Sequence, residues 1–205
     1  GVSSAASDVY KRQGRDWFDG SGNFMGSTVV RLQPGDPVIT GLPFLAALGV
    51  YEAVAGLVAQ PRALQLKWPN DLLLSGAKLA GVLLERVEDA VIVGIGVNLA
   101  QAPQLPDRKT AALSDIAPAP EAGAFALRLA DSFAVELRHW REFGMQALLT
   151  RWLLAAHPEG TPLTVHEQGA AVISGNFAGL EESGALRLRL ADGATRVIHA
   201  GDVFL

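Results

Sequence analysis

The sequence contains no cysteine, and this absence removes several kinds of chemistry at once. Without thiols the chain forms no disulfide, offers no cysteine nucleophile and cannot bind zinc through thiolates. Its four histidines, His139, His157, His166 and His199, are scattered without metal-ligand spacing, so we assign no bound transition metal. The lack of cysteine favours a cytoplasmic location, which we expect here, although many exported proteins also lack it.

Long apolar runs and an excess of positive charge are also missing. No run of about 18 uncharged apolar residues is present, so no membrane span is predicted. The N-terminus lacks the basic start and apolar stretch of a secretory signal. The 17 Lys and Arg residues are outnumbered by 21 Asp and Glu, which gives a net charge of −4. Because broad binding to a phosphate backbone needs a basic face, nucleic acid is not an expected partner.

The pattern of apolar residues predicts an α+β domain over residues 14–158, followed by a small β-barrel over 161–205. Thr40 is the predicted N-cap of an amphipathic helix that ends before Pro61, and Gly144 is the predicted break between two later helices. Trp68, Trp140 and Trp152 are interpreted as packing residues. In the first domain we predict strands at 23–32, 64–68, 71–74, 78–86 and 90–99 and helices at 121–143 and 145–157. The barrel strands are predicted at 163–167, 171–177, 185–190 and 195–199, with DVFL closing the chain.

The first thirteen residues differ from the rest of the chain. They are small and polar and show no period of 2 or 3.6, which argues against a packed element. Their stretch SAASDVYKRQ resembles translated sequencing-adapter read-through. We therefore expect residues 1–13 to be a non-native leader on an N-terminally truncated chain, with a disordered native leader as the alternative.

The segment KWPNDLLLSGAKLAGVLLE, residues 67–85, carries the most chemical information. Pro69 fixes a turn between two strand pieces, and the residue before it is biased to an extended conformation. Asn70 and Asp71 therefore stand at a strand end, where polar groups can face a ligand.

Two lysines belong to the same segment. Lys78 opens the next strand, eleven residues after Lys67, and Gly81 follows three residues later. Two lysines near one hairpin can converge on a single anionic ligand. The glycine allows that ligand to lie against bare backbone. This segment is therefore the candidate active site.

KWPND followed by GAKLAG resembles the signature of the biotin protein ligases. Three other segments agree in the same order. GRDWFDGSGNFMGS resembles the end of the family's Gly/Arg-rich adenylate loop, VIVGIGVNL its glycine-bearing strand, and the terminal β pieces its SH3-like C-terminal domain. The resemblance covers about residues 14–205. It implies an α+β fold, in which a mixed β-sheet catalytic domain of the biotin/lipoate ligase type precedes the SH3-like barrel.

The resemblance also implies a two-step reaction. Biotin and ATP would give biotinyl-AMP, and a lysine of a biotin carboxyl carrier protein, of the acetyl-CoA carboxylase type, would then accept the biotin. The first step brings two anions together, so it needs fixed positive charge and Mg²⁺, which we expect with ATP near Asp71. A homodimer is left open, and no DNA binding is expected.

By the same resemblance, Lys78 is the catalytic lysine that contacts the biotin carboxylate and the α-phosphate. The other expected contacts belong to three groups: the nucleotide and metal side, the biotin pocket and the adenylate loop. On the nucleotide and metal side they are Lys67, Asn70 and Asp71. In the biotin pocket they are Gly81 and Leu83, with Gly94, Gly96 and Asn98 bordering biotin and the adenylate from the neighbouring strand. In the adenylate loop they are Arg15, at the phosphate, and Trp17, which closes over the adenine.

The sequence departs from the family at the adenylate loop. The usual GRGRxGR-type run is represented only by QGR, preceded by DVYKR. Two alternatives therefore stay open beside the active ligase. One is a lipoate or octanoate ligase or transferase on the same fold, and the other is an inactive fragment that only binds biotin or its adenylate.

Overall fold

The described part of the chain forms two β-sheets, and the first contains five antiparallel strands in the order β1-β5-β4-β3-β2. The computed structural model describes residues 20–106, 108–167 and 172–205. The predicted strands are confirmed, and the 90–99 strand is an interior strand of the sheet. Their bounds are β1 Phe24–Arg31, β2 Leu64–Lys67, β3 Asp71–Leu74, β4 Ala77–Val87 and β5 Ala90–Val97.

Helix α1, Leu42–Ala55, packs between this sheet and helix α2, Ala122–Ala155. Ten of its 14 residues are buried, so it is apolar around most of its circumference and the predicted amphipathic character is wrong. The predicted cap is wrong as well. Thr40 lies inside a 3-10 turn, Ile39–Gly41, and its hydroxyl donates to the Ser183 carbonyl at 3.1 Å.

Helix α2 is interrupted at Gly144, as the sequence predicts. Gly144 has φ 77° and ψ −170°, a conformation that glycine adopts readily and other residues avoid. Trp140 and Trp152 are fully buried and Trp68 is buried, which confirms their interpretation as packing residues. Two further 3-10 turns, Pro61–Ala63 and Leu113–Asp115, lie in the connections.

The second sheet is also antiparallel, with the order β10-β6-β7-β8-β9. Its last strand, β10, is formed by the DVFL segment and pairs with β6. The other predicted C-terminal strands are confirmed with shifted ends, whereas the SH3-like character of this part stays a prediction. The bounds are β6 Pro162–His166, β7 Ile173–Leu180, β8 Leu186–Arg189, β9 Thr195–Ile198 and β10 Asp202–Phe204.

The two sheets are joined by polar contacts as well as by packing. The Trp68 indole N–H donates to the Gly184 carbonyl at 3.0 Å. An isolated parallel bridge joins Leu66 to Ala156, where the chain leaves α2 for the second sheet. The α+β class is confirmed, but the first sheet is antiparallel rather than mixed in all of its strand pairs among the described residues. The domain boundary near residue 160 stays a prediction. Within the described ranges, no helix has the length and apolar character needed to span a bilayer.

Candidate active site

A β-bulge in the β3–β4 hairpin determines the face of the sheet on which the Lys78 side chain lies. Leu72 is opposite Ala80, but Leu73 is opposite Lys78, so Leu79 is an extra residue in β4. In a regular strand Lys78 and Ala80 would share the core-facing side, because side chains alternate. The extra residue turns Lys78 to the other face, where it joins Asp71.

That face carries few side chains next to Asp71. Gly81 lies opposite Asp71 on one side and Gly96 on the other, and Leu83 lies opposite Gly94. Directly paired residues share a face, so the three glycines form a shallow trough beside the carboxylate. The intervening residues of β5 face the core and are buried, namely Val91, Val93, Ile95 and Val97.

Asp71 is held between two ammonium groups. Lys78 Nζ lies 2.5 Å from Asp71 Oδ1, and Lys67 Nζ lies 3.1 Å from Oδ2. Asp71 is only 6% exposed, and this burial by itself would raise its pKa. The charges and hydrogen bonds of Lys78 and Lys67 outweigh burial and hold the pKa of Asp71 below its ordinary value. The carboxylate therefore stays ionised, and the three groups together keep a net positive charge.

The backbone around Lys78 is fixed from both sides. Its N–H donates to the Lys109 carbonyl, and its carbonyl accepts from the Ala111 N–H, both at 2.9 Å. The Asn98 amide adds bonds to the Ala111 carbonyl at 3.1 Å and to the Lys78 carbonyl at 3.4 Å. Asn70, in the turn between β2 and β3, is bonded to β4, since its amide donates to the Val82 carbonyl at 2.5 Å. The backbone of Lys78 is therefore held in place by hydrogen bonds on both sides.

An open cleft of about 830 Å³ lies over this face, between the first sheet and the last strand of the second. Six predicted site residues line it: Lys67, Asn70, Asp71, Lys78, Gly81 and Leu83. The second sheet contributes the segment 200–205, and the connection after β5 contributes Arg108 and Lys109. A cleft with these cations suits an anionic ligand.

The remaining predicted residues lie in other places. Gly94, Gly96 and Asn98 are buried in and just after β5, beside the cleft. Arg15 and Trp17, like the leader 1–13, lie outside the described residues. Two groups near Lys67 were not predicted from the sequence: the Val203 carbonyl, which accepts from its ammonium, and His157, whose pKa is lowered by its charge. A main-chain acceptor and an isolated histidine leave no signal in a sequence pattern.

The described side chains offer no ready-made metal site. Among residues 20–106, 108–167 and 172–205, no three His, Asp or Glu side chains cluster as ligands for an ion. Asp71 was the expected neighbour of Mg²⁺, but each of its oxygens already accepts from an ammonium group. It therefore does not fit as a direct metal ligand in this arrangement.

Two matches to known families define the class of protein to which this chain belongs. Residues 11–99 match the model of the Biotin/lipoate A/B protein ligase family. Residues 164–205 match the Biotin protein ligase C terminal domain. Both matches fall on the cleft, since the first contains the lysine hairpin and the second contains β10.

Individual relatives narrow the class to one family. A biotin--[acetyl-CoA-carboxylase] ligase from Paracoccus denitrificans is 40% identical, over 94% of this chain and 84% of the relative. A ligase of the same name from Mycobacterium tuberculosis is 35% identical over 79% of this chain and 61% of its own length. The biotin protein ligase from Aquifex aeolicus, solved with biotin and ATP, superposes with a TM-score of 0.79 at 25% identity, covering 93% and 81% of the two chains. The chain belongs to the biotin protein ligase family.

Proposed function

We propose that this chain is an ATP-dependent biotin protein ligase that forms biotinyl-AMP and passes biotin to a lysine of a carboxyl carrier protein. The observation that carries the proposal is the ion pair between Lys78 and Asp71, set beside a glycine-lined trough in an open cleft. The names of the Paracoccus and Mycobacterium relatives support the same reaction.

In the first step, a carboxylate oxygen of biotin attacks the α-phosphorus of ATP. A new P–O bond forms, the bond from the α-phosphorus to the bridging oxygen breaks, and pyrophosphate leaves. Carboxylate and phosphate repel each other, so a cation between them lowers the barrier. Asp71 engages Lys78 through one oxygen and so orients its ammonium without neutralising the whole site.

The size of this effect depends on how far water is excluded. A charge pair about 4 Å apart gains about 1 kcal/mol in water and about 4 kcal/mol at an effective dielectric of about 20. The difference of about 3 kcal/mol corresponds to roughly a hundredfold in rate. The side chain of Lys78 is 23% exposed. Closure of the cleft over the substrates would therefore strengthen its contribution.

In the second step, the neutral amine of the carrier lysine attacks the acyl carbon of biotinyl-AMP. An amide bond forms, the acyl–oxygen bond and one N–H bond of the amine break, AMP leaves with the bonding electrons, and the proton passes to solvent. Mg²⁺ would enter as part of the MgATP substrate, since both oxygens of Asp71 are paired with lysine ammonium groups. The carrier, a cytoplasmic location and homodimer formation are proposed with the function.

The biotin pocket is proposed over the trough formed by Gly81, Gly94 and Gly96, with Leu83 at its edge. Backbone without side chains lets a flat ring system approach the sheet closely. Asn98 is proposed to act by holding the Lys78 backbone, because its amide is committed to two carbonyls there. Arg15 and Trp17 keep their proposed places at the phosphate and the adenine.

The test is a single-turnover reaction with α-labelled ATP, the purified chain and either biotin or lipoate. Biotin-dependent formation of labelled adenylate, followed by transfer to a carrier domain, supports the proposal. Adenylate with lipoate alone would favour the lipoate alternative. Calorimetric binding of biotin without any adenylate would favour the inactive binder.

A further inference from the structure

Lys67 lies at the seam between the two sheets. Its ammonium donates to the Val203 carbonyl of β10 at 2.8 Å and pairs with Asp71 Oδ2 at 3.1 Å. We propose that Lys67 is a positioning residue, through which the docking of β10 sets the geometry of Asp71 and Lys78. The inference deepens the proposed ligase function and rests on it.

The physical reason is that the two carboxylate oxygens of Asp71 bind different lysines. Oδ2 accepts from Lys67 and Oδ1 from Lys78. With Oδ2 occupied, Asp71 holds Lys78 through one oxygen, so two of the three ammonium protons of Lys78 remain for substrate anions. Without Lys67, a buried carboxylate would have one cation left, and both oxygens would draw Lys78 away from the substrates.

The Val203 carbonyl fixes where Lys67 can place its charge. Lys67 has a side chain only 14% exposed, so it has little freedom to swing into the cleft. Val203 is itself buried, and its strand is held to β6 opposite Val165. A carbonyl at this point can be present only when β10 is docked. The second sheet would therefore contribute to the catalytic geometry through main chain rather than through a side chain.

A neutral histidine lies near Lys67. The bridge between Leu66 and Ala156 brings His157 beside Lys67. Burial and the charge of Lys67 lower the pKa of His157 to about 4, so its ring is uncharged at neutral pH. An uncharged ring adds no second positive charge beside Lys67, whose ammonium contacts both Asp71 and the Val203 carbonyl.

Kinetics can separate positioning from direct nucleotide binding, which the family resemblance suggests for Lys67. The variant Lys67→Met keeps most of the length of the side chain and removes its charge. Positioning predicts that kcat for adenylation falls about tenfold or more, while KM for ATP and for biotin stays within about threefold. Lys67→Arg should recover most of kcat. Arg62→Gln, an exposed residue just before β2, is the control and should match the wild type.

Hydrogen exchange provides a second measurement that a purely structural role would not affect. Coupling between sites is reciprocal, so ATP and biotin should increase amide protection in β10 of the wild type. The increase should disappear in Lys67→Met, and the pKa of His157, followed by NMR, should rise because a neighbouring charge is gone.

Two results would overturn the inference. One is a rise in KM for ATP with kcat unchanged, which would make Lys67 a nucleotide contact. The other is ligand-dependent protection of β10 that survives in Lys67→Met. A wild-type chain that forms no adenylate would contradict the proposed function but not this inference. In that case the protection of β10 on ligand binding, compared between the wild type and Lys67→Met, would decide the inference.

Discussion

Gly81 lies directly opposite Asp71 in the β3–β4 register, and the end of the Lys78 side chain fills the space above it. A Cβ at position 81 would lie 3.0 Å from Lys78 Nζ, 3.1 Å from its Cε and 3.4 Å from Asp71 Oδ1. The glycine therefore makes room for the ion pair itself, in addition to its proposed place in the biotin pocket.

Gly81→Ala is expected to lower the adenylation rate about tenfold, because Lys78 must move to admit a methyl group. The fold should tolerate the change, since the displaced atoms are the end of a flexible side chain. Single-turnover kinetics and thermal unfolding check both parts. Gly123→Ala, where a new Cβ meets nothing within 4 Å apart from its chain neighbours and the backbone of its own helix, is the control for the kinetics. Wild-type rates in Gly81→Ala would argue against a fixed Lys78.

Lys78→Ala should lower the rate of adenylate formation by roughly a hundredfold or more. The fold should remain, because the side chain adds little to the core and Asp71 keeps Lys67 as a partner. Biotinyl-AMP formation and circular dichroism are the measurements. Arg86→Ala, an exposed position on the same strand, should keep full activity. Normal adenylation by Lys78→Ala would refute its assigned role.

Arg151→Met should destabilise the chain by about 2 kcal/mol, between the roughly 3–5 kcal/mol expected when a fully buried ion pair loses one partner and the value of at most about 1 kcal/mol for an exposed pair. Glu136 is 1% exposed and accepts two hydrogen bonds from the Arg151 guanidinium, at 2.5 and 2.7 Å. The Arg151 side chain is 36% exposed, which moderates the effect. Urea unfolding measures the change. Arg138→Met, exposed on the same helix, should differ little from the wild type.

His157 should make stability depend on pH between about 4 and 6.5. Burial and the charge of Lys67 lower its pKa from 6.5 to about 4. Within this window His157 is therefore protonated in the unfolded chain but not in the folded chain. The free energy of unfolding therefore falls as pH falls through the window, by up to about 3 kcal/mol.

His157→Gln should remove this part of the pH dependence, whatever it does to stability at neutral pH. Urea unfolding at several pH values measures it, and His199→Gln, at an exposed site, is the control. An unchanged slope in His157→Gln would show that the folded chain protonates His157 as readily as the unfolded chain.

Sequence patterns predicted the strands and the grouping of the lysine hairpin, because alternation and turn residues are local signals. They could not predict the bulge at Leu79, since a single extra residue leaves no pattern, yet this bulge decides which way Lys78 points. Alternation alone would have turned Lys78 toward the core.

The errors have a related cause. Thr40 is a good capping residue by type, but its hydroxyl donates to Ser183, which is 143 residues away in sequence. The Val203 carbonyl reaches Lys67 across 136 residues. Contacts of this kind depend on how two sheets dock, and no local window of sequence contains them.

The bond from Trp68 to Gly184 limits how the two parts of the molecule can be recombined. An indole N–H buried without its acceptor costs about 1–3 kcal/mol. A chimaera that joined residues 20–158 to the C-terminal sheet of a distant relative would need a carbonyl at the same point of the incoming turn. Grafts that lack it should be less stable even when every residue of the KWPND hairpin is intact.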